Sequence, residues 1–142
     1  MSRLTRDQAV ARLLDGVQED MKTCAAVREL LERQFQAALR HRGAELTQLA
    51  GELTPQLDAM EARRQQRVQL VRALFGANAT MDALFASLGA PQRSAASAAW
   101  EQLERLVRDC KQATARNGNL MAEQYSVMQR LLHGEEDTYA PR

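Results

Sequence analysis

From Val10 to Leu39 the apolar residues recur in steps of three and four: Val10, Leu13/Leu14, Val17, Met21, Cys24, Val27, Leu31, Phe35 and Ala38/Leu39. A spacing near 3.5 held over roughly five heptads is the packing seam of a long helix, of coiled-coil type. Thr5-Arg6-Asp7-Gln8 can cap its start, with an acid in the first turn. At ~1.5 Å per residue such a helix is about 50 Å long. Arg40-His41-Arg42-Gly43 interrupts it, and Gly43 after a basic last turn reads as a stop that opens a tight reversal. A helix continuing through Gly43 is the competing reading, since an interior glycine costs only ~1 kcal/mol.

A second helix is expected from about Ala44 to Phe75, with Leu46, Leu49, Leu53, Leu57, Met60, Val68, Val71 and Leu74 as its seam. Pro55 removes one ladder hydrogen bond, so the chain either kinks there or starts afresh with Thr54 as cap. Arg63, Arg64 and Arg67 fall on the polar side and read as a solvated face. Gly76-Ala77-Asn78-Ala79 ends this helix, Thr80 opens a short one over Met81 to Leu88, and Gly89-Ala90-Pro91 ends that. The last long helix is expected from Gln92 to His133. Its seam is Ala96, Ala99/Trp100, Leu103, Leu106/Val107, Cys110, Thr114, Asn117, Leu120/Met121, Gln124, Val127/Met128 and Leu131. This seam turns polar between Thr114 and Gln124, so that end is either loosely packed or meant for another chain.

Short loops between long helices imply antiparallel neighbours. The expected fold is all-α: an elongated antiparallel bundle of three long helices plus one short helix. Residues 1–133 form one helical domain, and 134–142 form an aperiodic, mobile C-terminal tail. Composition agrees. The 142 residues contain no Ile, and Ala, Leu, Gln, Glu and Arg dominate, all residues that lose little freedom in a helix. No apolar run is long enough for a membrane span, and the N-terminus lacks a secretory signal. The expectation is a soluble, cytoplasmic protein with Cys24 and Cys110 reduced and buried.

A search for reactive chemistry comes back empty. His41 and His133 stand at expected helix ends, where a histidine complements the local dipole. No metal-binding His or Cys spacing and no phosphate loop is present. The expectation is no enzyme, no cofactor and no metal. A net charge of +1 argues against a nucleic-acid binder built on Arg63, Arg64, Arg67 and Arg72. What remains is a binding protein or a self-associating structural coiled coil.

Two features stand out against the helical background. Asn117-Gly118-Asn119 places poor helix formers inside a strong helical pattern. Either the helix breaks there, or a buried Asn fixes register, or the amphipathic stretch Leu120 to Leu132 is reserved for a partner. Tyr139, in an acidic tail with Pro141, is either part of a solvated spacer or an anchor for a pocket on another protein.

The chain resembles the FlgN family of flagellar type III export chaperones. The similarity lies in Leu30-Leu31-Glu32, in Leu57-x-x-Met60-Glu61-x-x-Arg64, and in Leu70-x-x-x-Leu74-Phe75-Gly76. It is strongest in Arg116-Asn117-Gly118-Asn119-Leu120, followed by an amphipathic helix and Tyr139-Ala140-Pro141. Thr114 and Ala140 depart from the family pattern, which often has Asn and Gly there. The resemblance implies a cytosolic chaperone for hook-associated (hook–filament junction) proteins. It would bind their C-terminal helical segments, prevent early assembly and deliver them to the export gate. The implied cargo surface is Asn117, Leu120, Met121, Val127, Met128, Leu131 and Leu132, with Tyr139 docking on the gate. No nucleic acid, membrane insertion or ATP chemistry is implied, and the seams remain compatible with a homodimer.

Overall fold

The computed structural model describes residues 4–139, with side chains as far as residue 134. Three long helices and one short one follow each other: α1 (Arg6–Leu39), α2 (Gly43–Phe75), α3 (Met81–Ala86) and α4 (Ala90–Tyr139). No strand occurs among the described residues. The all-α reading holds.

Helix α1 starts as its sequence dictates. The Thr5 hydroxyl accepts from the Gln8 N–H at 3.1 Å, and the Gln8 side chain accepts from the Thr5 N–H at 2.9 Å. This reciprocal cap satisfies two backbone donors that a helix start leaves open. The reversal to α2 is as tight as expected, but its special conformation falls on His41 (φ 55°), not on Gly43. Two backbone bonds close the helix end: His41 N–H to Ala38 O at 3.2 Å and Arg42 N–H to Ala37 O at 2.9 Å. That pairing is a Schellman motif with a left-handed histidine where glycine usually sits.

Helix α2 runs unbroken through Pro55. Thr54 does not cap a new helix; its hydroxyl donates to Ala50 O at 3.0 Å. Proline frees one carbonyl a turn earlier, at Gly51, and Gly51 is exposed, so water can satisfy it. Gly76 then takes φ 112°, ψ 165°, a region open essentially only to glycine.

Six-residue α3 is too short to persist alone. It plugs one end of the bundle with Met81, Leu84, Phe85 and Leu88, all buried. It ends at Ala86, earlier than expected, and Leu88 packs from the following turn. Arg93, in the first turn of α4, donates to the carbonyls of Phe85 (3.1 Å) and Leu88 (2.9 Å). A cation thereby covers the acceptors left open at that helix end.

The three long helices run up, down and up, so α1 and α4 are parallel and α2 is antiparallel to both. Helix α1 lies between the other two and carries most of the packing. One core cluster joins Leu13, Val17 and Cys24 of α1 to Val71 of α2, to α3, and to Leu103 of α4. A second joins Val27, Leu31, Leu53 and Ala113. Fully covering a side chain such as Leu49 or Leu84, both at 0% exposure, contributes roughly 1.5–3 kcal/mol.

Two readings of the polar residues are corrected here. Arg63 and Arg67 are not solvated: both guanidinium groups bond the carboxylate of Asp20, which is buried on α1. Arg63 also donates to the Thr23 hydroxyl at 2.7 Å, and Arg67 lies over the Trp100 ring at 5.3 Å. Arg64 does face solvent, paired with Glu61 at 2.7 Å. In α4 the buried seam residue is Ala113, while Thr114 is exposed and bonds Cys110 O.

Candidate functional site

The contact between α1 and α4 repeats with a heptad period. Cys110 Sγ approaches Cys24 O at 3.6 Å, Asn117 Nδ2 donates to Leu31 O at 2.8 Å, and Gln124 Nε2 donates to Ala38 O at 2.8 Å. Each pair is 86 residues apart in sequence. Seven residues separate successive steps on both helices, which fixes one parallel register. Of the polar residues expected in the seam between Thr114 and Gln124, Asn117 and Gln124 therefore bond the backbone of α1.

Asn117 is the centre of this ladder. It is buried, and helix α4 runs straight through Asn117-Gly118-Asn119. Its Nδ2 also donates to Gln34 Oε1 at 2.8 Å, and its Oδ1 accepts from Arg116 Nε and Nη2, both at 3.2 Å. All the hydrogen-bonding capacity of an amide side chain is thus engaged. Asn117 was expected on the partner-facing surface; its burial and its bonds place it instead against α1. Arg116 stacks on Phe35 with its guanidinium carbon 3.9 Å from the ring centroid, and bonds Glu32 at 3.0 Å. Those bonds hold the Glu32 carboxyl below its ordinary range.

Beyond Gln124 the arrangement changes. Helix α1 stops at Leu39, and its register places that residue level with Tyr125. Helix α4 continues to Tyr139, past the expected end at His133, which carries it roughly 20 Å beyond the α1–α2 turn. Gly134 does not stop it, consistent with the modest cost of one interior glycine. On this extension Val127, Met128, Leu131 and Leu132 are exposed, Leu131 at 61%. Heptad spacing puts Leu131 directly in line with Cys110, Asn117 and Gln124. Val127 and Leu131 continue the face that packs on α1 further down, now without a helix opposite them among the described residues, and Met128 and Leu132 widen it to one side. Leu120 and Met121, nearer the turn, are half-buried.

Sequence reading missed two members of this surface. Tyr125 is 68% exposed and Leu39, at the end of α1, is 46% exposed. A large aromatic off the seam was the available signal for Tyr125. Exposure of Leu39 depends on where α1 ends, which periodicity does not show. The Tyr139 side chain, named for gate docking, lies outside the described side chains.

No group of three His, Cys, Asp or Glu side chains is placed to hold a metal ion among the described residues. No helix is long and apolar enough to cross a membrane, among the described residues. Cys24 and Cys110 are free thiols, and burial pushes Cys24 up to about 11 and Cys110 upward as well, away from the reactive thiolate. An open apolar groove of about 440 Å³ between α2 and α4, lined by Leu57, Met60, Trp100 and Val107, has Asp20 and Arg67 at its border. Its cations and carboxylates are already paired with one another in part, through Asp20–Arg67 and Glu61–Arg64.

The family described as FlgN protein matches residues 1–134. No curated protein and no solved structure matches the chain. A match over nearly the whole length places this chain in the FlgN family of flagellar export chaperones.

Proposed function

We propose that the chain binds the C-terminal helical segments of hook-associated proteins on the α4 extension, keeps them from assembling early and hands them to the flagellar export gate. The observation that carries this reading is the exposure of Val127, Met128, Leu131 and Leu132 beyond the end of α1. Unassembled helical termini carry an apolar face that would otherwise associate. An apolar strip at heptad spacing can cover such a face in the helix-in-groove mode. Leu120 and Met121, half-buried about one turn before α1 ends, form the base of the surface. Met128 suits a surface that must accept more than one guest, because its side chain is unbranched and flexible.

The mechanism is binding and release, in the cytoplasm, without covalent chemistry. Affinity has to exceed self-association of the guest and still permit hand-over. Micromolar binding or tighter, roughly −8 kcal/mol or beyond, meets both needs. Tyr139 is assigned to the gate rather than to the guest.

Co-purification tests this directly. Val127→Asp with Leu131→Asp should abolish recovery of a tagged hook-associated protein while helicity is unchanged. Recovery at the wild-type level would remove the strip from the site. Tyr139→Ala should retain the guest yet lower its export, and undiminished export in a motility assay would remove the gate role. The same strip could instead pair two copies of this chain. A monomer in light scattering at working concentration supports the chaperone reading over that one.

A further inference from the structure

We infer that the guest helix lies antiparallel to α4, with its C-terminal end against the α1–α2 turn. The inference rests on the docking reading above and adds a polarity that the reading does not contain. Any helix seated on the strip occupies the place a longer α1 would have taken. One of its ends must then meet the turn, and the other must lie beside the far end of α4.

These two ends differ in charge. At the turn, Arg40 and His41 are exposed, and Arg42 pairs with Glu45 at 3.6 Å. Glu123 is the single acid of α4 between Arg116 and Gly134. The negative end of the α1 dipole also points here. Two of its closing carbonyls, those of Ala38 and Ala37, accept from the His41 and Arg42 amides, and two whole guanidinium charges outweigh the half charge of a helix end. At the far end, α4 brings the negative end of its own dipole, and the sequence there carries Glu135, Glu136 and Asp137.

A helix carries about half a positive charge at its N-terminus and half a negative charge at its C-terminus. Both ends of the strip therefore select the same polarity. The guest's C-terminus belongs at Arg40 and Arg42, and its N-terminus beside the acidic turn. A free chain-terminal carboxylate, or acids in the last turn of the guest, would strengthen the choice. The extension accommodates a guest of about four turns.

Photo-cross-linking decides the polarity. The probe is a peptide of the last forty or so residues of the hook-associated protein encoded with this chain. Full-length chaperone carries p-benzoylphenylalanine at position 44, beside the α1–α2 turn, or at position 132. Cross-links from position 44 should map to the peptide's C-terminal part, and those from position 132 to residues nearer its N-terminus. The opposite order overturns the polarity and leaves the strip as the site. Failure of the peptide to bind unmodified chaperone overturns the docking reading and the polarity with it. Arg40→Glu should weaken the peptide about threefold at low ionic strength, and less in high salt. Unchanged affinity at low salt contradicts the electrostatic basis.

Discussion

The Asn117 side-chain amide donates to the Leu31 carbonyl at 2.8 Å, joining two parallel helices whose residues are 86 positions apart. A polar residue at a seam position lowers the apolar yield of the contact but penalises every other register. Shifting α4 by one turn would bury Asn117 without partners. Asn117→Ala should destabilise the fold by roughly 1–3 kcal/mol, because Gln34 and Arg116 lose a buried partner. Denaturant unfolding measures this. A change near zero would mean the ladder does not set the register.

Asp20 is buried with two arginines around it. Asp20→Ala removes the only carboxylate bonded to either guanidinium among the described ion pairs, and leaves Arg67 covered. A loss of about 3–5 kcal/mol is expected. Replacing Asp20, Arg63 and Arg67 together by Leu, Met and Met should recover most of it, since well-packed apolar residues often equal a buried ionic cluster. Thermal unfolding of the single and triple variants checks both expectations.

His41 occupies a left-handed conformation, φ 55°. A side chain there costs about 1 kcal/mol relative to glycine. His41→Gly should raise the melting temperature, and Gly43→Ala, at a helix start with no positive φ, should not lower it by a comparable amount.

Glu32 links α1 to α4 through Arg116. Its folded-state pKa is lowered, first by that hydrogen bond and then by Gln36, from an ordinary value of 4.5. A depressed carboxylate stabilises fully above its unfolded value, and the contribution fades as pH falls through the folded value. Wild type and Glu32→Gln should therefore differ in melting temperature at neutral pH and converge below about pH 4.5. The group is exposed, so the difference is expected to be small and salt-sensitive. A gap that widens on acidification would contradict the assignment.

Periodicity exposed most of this architecture, because α1 is apolar every three or four residues and its capping box is local. The same signal was blind to Asp20, Arg63 and Arg67. Charges score as solvent-facing until a partner helix is known to bring opposite charges to them. Asn117-Gly118-Asn119 was legible as unusual, but only a neighbouring helix shows why Asn117 is tolerated. Gly43 reads as the stop of α1 because glycine commonly follows a helix end, yet the left-handed residue that closes α1 is His41, two residues earlier. The exposed apolar strip was legible as a heptad continuation. Its freedom was not, since that depends on α1 ending at Leu39 while α4 goes on.

Hydrogen exchange across α4, with and without the hook-associated peptide, tests the central claim most directly. In the free chain the amides from Tyr125 to Gly134 should exchange faster than those from Leu103 to Asn117, which pack on α1. Saturating peptide should slow the first group and leave α2 unchanged. Slow exchange of the extension before any peptide is added, or no slowing after it, would show that this face is not where a guest is held.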